Sequence, residues 1–107
     1  MATRIYISGK ISGIENEALE LFAKAETELQ AKGFETVNPM TLNHAHDKSW
    51  RSYMKEDVKA LCECDMIYML SNWTDSKGAN MEHTIAMCLG LKVQYEETLG
   101  MGDDKIA

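Results

Sequence analysis

A doubly wound α/β fold, one domain whose mainly parallel sheet of four or five strands carries helices on its faces, is what the sequence predicts. Two observations lead there. Short β-branched or apolar runs alternate with longer stretches of helical period, and the run Met66-Ile67-Tyr68-Met69-Leu70 is almost continuously apolar, as a strand covered on both faces must be. The length of 107 residues and a hydrophobic content of 45% suffice for one core and not for two.

In chain order, Arg4-Ile5-Tyr6-Ile7-Ser8 reads as a buried first strand that stops at Gly9, and Gly9 to Gly13 as a loop. From Glu15 to Lys32, Ala18, Leu21, Phe22, Ala25 and Leu29 recur at three and four, which predicts a helix closed by Gly33. Phe34 to Val37 forms the second strand, ended by Asn38-Pro39, and residues 40–49 lack a period and read as a loop over the sheet's ligand edge. Ser49 is placed to cap a helix from Trp50 to Glu63 with Tyr53, Met54, Val58 and Leu61 on its apolar side. After the strand at 66–70, Ser71 to Gly78 reads as a loop, Ala79 to Leu89 as a helix stopped by Gly90, and Leu91 to Tyr95 as the last strand. The order βαβαβαβ requires crossover helices, so the expectation is a Rossmann-like, flavodoxin-like domain over residues 1–95 with a polar tail over 96–107. Ligands then belong at the carboxyl ends of the strands.

Composition narrows the function. A net charge of −6 disfavours a surface that neutralises nucleic-acid phosphates, so no nucleic-acid polymer is expected as a partner. No apolar run approaches the roughly 18 residues of a membrane span and the N-terminus lacks a signal peptide's pattern, so the expectation is a cytoplasmic protein without a membrane partner. Cys62, Cys64 and Cys88 are odd in number and lack the paired spacing of a zinc site, which suggests reduced thiols. Ser8 to Gly13 matches neither the spacing of a P-loop nor that of a dinucleotide fingerprint.

Of the three segments at the ligand edge, residues 73–82 are the most informative. Glu82 is expected in the first turn of the third helix, where the dipole favours an ionised carboxylate, although glutamates there often do no more than stabilise the helix. Asp65 reads as a structural residue at a strand's start, and His44 and His46 as solvated loop histidines. His83 is expected to face away along the helix. Trp50 and Trp73 are placed either to flank a pocket or to cover the core.

Ile5 to Gly13, Val37-Asn38-Pro39, Lys55-Glu56-Asp57 with Cys64-Asp65, and Ser76 to Glu82, in this order and spacing over residues 4 to about 95, resemble the nucleoside 2-deoxyribosyltransferase-like superfamily. The closest likeness is to its small uncharacterised branch, often phage- or prophage-encoded and known as a domain of unknown function, related to the 2'-deoxynucleoside 5'-phosphate N-hydrolases. The resemblance implies that Glu82 attacks the anomeric carbon, that Asp57 assists departure of the base, and that Tyr6 orients the nucleophile. It implies substrate contacts at Ser76 and Gly78; Gly9, Lys10 and Ser12 in the first loop and the Trp73 ring are further candidate contacts, and no metal or organic cofactor is expected. Ser12 stands where the phosphohydrolases carry an arginine, so a 5'-phosphate would have only the point charge of Lys10 in that loop. The chain also stops soon after its fourth strand, without the C-terminal region from which relatives often complete a neighbouring subunit's site. The expected activity is N-glycosidic cleavage or transfer on a 2'-deoxynucleoside or its monophosphate through a glycosyl-glutamate. The alternative is a catalytically weak module that binds or senses a nucleotide in the same cleft. A homodimer or higher homo-oligomer is expected, from the many methionines, the apolar strand edge and the habit of relatives.

Overall fold

The structure, a computed structural model, describes residues 2–42 and 47–96. Strand β1 (Arg4–Ser8) is buried from Ile5 onward, and period-two alternation sends Ile5 and Ile7 to one face of the sheet and Tyr6 and Ser8 to the other. Helix α1 (Glu15–Ala31) follows, its buried stripe Ala18, Phe22, Ala25 and Leu29 lying against the first face. Gly33 takes a left-handed φ of 95° and turns the chain into β2 (Glu35–Val37).

Pro39–Thr41 is a 3-10 turn where sequence reading expected an irregular loop. The Asn38 side chain accepts the Met40 N–H and thereby caps it. Helix α2 (Trp50–Cys62) begins at Ser49, whose hydroxyl accepts from Ser52 N–H at 3.2 Å, as its position predicted. Strand β3 (Met66–Met69) is buried at every residue. A second 3-10 turn, Trp73–Asp75, leads to α3 (Lys77–Leu89), which Gly90 closes in the left-handed region before β4 (Lys92–Tyr95). Helix α3 therefore starts two residues earlier than expected. Ser76 is its N-cap, accepting from Ala79 N–H at 3.1 Å, and glycine is tolerated at position 78 because it lies in the first turn.

The four strands form one parallel sheet in the order β2-β1-β3-β4, a doubly wound Rossmann-like arrangement. One core packs α1 on the face bearing Ile5, Ile7, Met66 and Tyr68. The other packs α2 and α3 on the face bearing Tyr6, Ile67 and Met69. The chain leaves β1 in one direction to reach β2 and crosses in the other to reach β3, so a crevice opens beyond the carboxyl ends of β1 and β3. Asp65 secures the start of β3: its carboxylate accepts Arg4 N–H at 3.0 Å and its own N–H donates to Arg4 C=O. Among the described residues no helix is long and apolar enough to cross a membrane.

Candidate active site

The crevice is a cleft of about 450 Å³ at that switch point. Its depth is set by β1 and α3. Tyr6 and Ser8 share a face of β1, and both hydroxyls converge on Glu82 of α3. The Tyr6 hydroxyl donates to Glu82 Oε2 at 2.9 Å and the Ser8 hydroxyl to Oε1 at 2.7 Å. Glu82 is buried, with 5% of its surface exposed.

Burial pushes the Glu82 carboxyl up to about 7, and the charge of Asp57 adds to that; the Ser8 and Tyr6 hydroxyls act in the opposite direction by bonding the ionised form. Burial, then the charges of Glu82 and Asp57, hold the Tyr6 phenol well above its ordinary range, so it remains a donor at any physiological pH. The helix dipole has little part in this. With α3 beginning at Lys77, Glu82 is the sixth helical residue, past the first turn in which sequence reading placed it and beyond the reach of the terminal partial charge.

Asp57 is buried on α2 and lines the same cleft. Trp50, Tyr53, Met54 and Asp57, spaced at zero, three, four and seven, form the cleft-facing stripe of that helix. Trp50 is at the mouth and 44% exposed, with the Lys77 ammonium 4.5 Å from its ring centroid.

The structure brings Tyr6, Asp57, Glu82, Gly9, Lys10, Ser12, Ser76 and Gly78 to this one cleft. One of these has a packing reason of its own. A Cβ on Gly9 would stand 2.7 Å from Leu70 Cδ1 and 2.9 Å from its Cβ, so that glycine is needed by a protein neighbour whatever occupies the cleft, whereas one on Gly78 would stand 3.0 Å from Met54 Sδ and ask that flexible side chain to shift. Lys10 is fixed through its backbone, whose N–H donates to Asn72 Oδ1 at 3.0 Å. Ser76 Oγ, expected to contact substrate, already accepts the Ala79 N–H as a helix cap and keeps its own proton to donate.

Trp73 is not among the residues that line the cleft. Its ring stacks on His83 at 4.4 Å between centroids, with Tyr95 beyond, and His83 Nε2 lies 2.7 Å from the Tyr95 hydroxyl. The expected substrate contact at Trp73 is therefore corrected to a packing role on the far side of α3, where His83 also points, away from Glu82 as expected. Sequence reading missed Ser8, Tyr53 and Lys77 as site residues. For Ser8 the signal was present, since alternation along β1 puts it on the face of Tyr6. His44 and His46 lie outside the described residues. Among the described residues, no group of three or more His, Cys, Asp or Glu side chains is placed to hold a metal ion.

The cleft thus presents a buried, hydroxyl-held carboxylate, a second carboxylate beside it, apolar and aromatic walls from α2, and the cations Lys10 and Lys77 nearer solvent. Such a site suits a small ligand that offers an electrophilic carbon to Glu82 and a leaving atom that accepts a proton. The family model described as "Domain of unknown function (DUF4406)" matches residues 3–95, from just before β1 to the end of β4. No curated protein matches the chain.

Proposed function

We propose that this chain, which belongs to the DUF4406 family, cleaves the N-glycosidic bond of a 2'-deoxynucleoside or its 5'-monophosphate through a covalent ester on Glu82. The observation that carries the reading is the buried Glu82 carboxylate gripped by Tyr6 and Ser8 at the floor of a cleft that also exposes Asp57. A carboxylate stripped of water and oriented through both oxygens is prepared to attack one carbon. Likeness to the nucleoside 2-deoxyribosyltransferase-like superfamily supplies the substrate class, and the cleft volume suits one nucleoside rather than a polymer.

In this mechanism Glu82 forms a bond to C1' as the C1'–N bond breaks, and the electron pair departs with the base nitrogen. Asp57, which lines the same cleft, is placed to neutralise that nitrogen by passing it a proton. Water then attacks C1' and gives its proton to the Asp57 carboxylate as the C1'–Glu82 ester bond breaks, which frees Glu82 as the carboxylate and leaves the free sugar; a second base in place of water gives transfer. Tyr6 and Ser8 keep Glu82 aimed throughout and do not exchange protons with the substrate. Lys10 and Lys77 supply positive charge toward the cleft mouth for a 5'-phosphate.

One observation favours a binding module instead. A carboxyl held near 7 is substantially protonated at neutral pH, and a protonated Glu82 is a hydrogen-bond donor suited to ligand recognition rather than attack. The two readings separate by liquid chromatography of a panel of deoxynucleosides and their monophosphates incubated with wild type and Glu82→Ala, with and without an acceptor base. Free base, or a new nucleoside in the presence of the acceptor, should form with wild type and fall at least a thousandfold with Glu82→Ala, as expected on loss of a nucleophile. No turnover by wild type, together with undiminished ligand binding by Glu82→Ala, would leave the nucleophile reading without support.

A further inference from the structure

The sheet has two open edges, β2 and β4, and they differ in chemistry. The three residues of β2, Glu35-Thr36-Val37, carry one charge, which is already bridged to Arg4 at 3.4 Å. Strand β4 with the residue after it reads Lys92-Val93-Gln94-Tyr95-Glu96, and among the described residues nothing pairs with its outer side. Among the described residues, Met87, Leu89 and Tyr95 of the five exposed large apolar side chains lie on α3 or β4. Exposed apolar surface is thus concentrated along this edge.

The hydrogen-bond parity of β4 is settled by its partner. Glu96 N–H donates to Met69 C=O at 2.8 Å, and Met69 is in register with Tyr95, so Lys92, Gln94 and Glu96 turn their backbone groups toward β3. Val93 and Tyr95 then turn theirs outward. An antiparallel copy of the same strand centred on Gln94 sets Val93 opposite Tyr95 of the second copy and Tyr95 opposite its Val93. These are the residues whose N–H and C=O are free to bond. In the same register Lys92 stands opposite Glu96 of the second copy, twice by symmetry. Hydrogen-bond parity admits registers centred on Val93, Gln94 or Tyr95, and of these the one centred on Gln94 sets Lys92 opposite Glu96.

We propose that the outer edge of β4 is a homodimer interface at which two copies of this chain pair β4 against β4 antiparallel about Gln94, joining two four-stranded sheets into one of eight strands. Val93 and Tyr95 form β-branched–aromatic cross-strand pairs on the α3 side. Tyr95 is already oriented there by His83 and Trp73. Lys92 and Glu96 form ion pairs on the α1 side. Ser71 N–H donates to Glu96 Oε1 at 2.8 Å and ties that oxygen to the end of β3, so the pair with Lys92 of the second copy is made through Oε2. The outer face of α3, marked by Met87 at 59% exposure, comes beside its symmetry mate across the two-fold axis. An antiparallel pair added at the edge of a parallel sheet is a common arrangement, and it covers an edge that would otherwise invite uncontrolled pairing.

The test is sedimentation velocity of the full chain and its charge variants, with far-UV circular dichroism to show that each is folded. Wild type should sediment at twice the chain mass of 12.1 kDa. Lys92→Glu and Glu96→Lys should each weaken the dimer roughly tenfold or more by setting like charges opposite one another at two symmetric positions. An equimolar mixture of the two variants restores both attractive pairs and should give a heterodimer, and the double variant Lys92→Glu/Glu96→Lys should dimerise as wild type does. A monomeric wild type, a dimer indifferent to both single changes, or a mixture that stays monomeric overturns the proposal. None of these outcomes depends on whether Glu82 is a nucleophile.

Discussion

Glu82 sets the pH response of the molecule. In the folded chain its carboxyl keeps a proton up to about pH 7, whereas the same group free of burial titrates at its ordinary value of 4.5. Between those values the folded state binds more protons than the unfolded state. The stability that this group contributes is therefore complete below pH 4.5 and is lost as pH rises through about 7, a change on the order of 3 kcal/mol. Glu82→Gln keeps an acceptor for one hydroxyl and offers its amide to the other while removing the titration. Urea denaturation at about pH 5 and about pH 8 should show wild type losing most of that stability and Glu82→Gln losing much less; equal losses would mean that another group is responsible. That Tyr6, Asp57 and Glu82 belong together was legible only through the family likeness of the motifs that carry them, and the three do line one cleft. Ser8 was read only as the last residue of the first strand, although its parity with Tyr6 fixed its direction toward Glu82. The error at Trp73 has a different cause. Whether a ring in a turn faces the cleft or the back of α3 depends on the dihedral angles of that turn, which no periodicity records.

The elements with strong periods or firm punctuation fall where the residues put them, β1 over its full predicted range and α1, α2 and β3 to within a residue. The third helix shows what weakens such reading. Lys77-Gly78 looks like loop because glycine has a poor helix propensity, yet Ser76 supplies the cap and the missing Cβ of Gly78 makes room for Met54, so packing between α2 and α3 overrides propensity. The cap should be measurable on its own. Ser76→Ala removes the side-chain acceptor of Ala79 N–H at the start of α3 and is expected to lower stability by about 1 kcal/mol, whereas Ser76→Asp, which still offers an oxygen to Ala79 N–H, should recover most of it. Chemical denaturation of the three proteins decides the matter, and an Asp variant as unstable as the Ala variant would show that α3 is anchored by its packing rather than by its cap.

At the scale of the whole molecule, two hydrophobic cores lie on opposite faces of one four-stranded sheet, and β1 and β3 contribute alternate residues to both. Neither face can unfold without exposing the back of strands on which the other depends. A chain of 107 residues built this way should unfold in one cooperative step. The doubly wound architecture was legible from the alternation of segments because each crossover demands a helix and the unbroken apolar run at β3 demands cover on both faces; the strand order was fixed only when the two crossovers took opposite sides of β1. That order also supplies the probes. Trp50 and Trp73 belong to α2 and to the turn before α3, while Leu29 is a buried residue of α1, in the core on the other side of the sheet. Leu29→Ala removes packing from the α1 core alone and should cost about 2–5 kcal/mol. If the faces are coupled through the sheet, the urea midpoint read from tryptophan fluorescence must fall by the same amount as that read from far-UV circular dichroism, at one protein concentration. A fluorescence midpoint that stays in place while the circular dichroism transition broadens would show the α1 layer melting off a sheet still held by α2 and α3, and the molecule would then be two stability units rather than one.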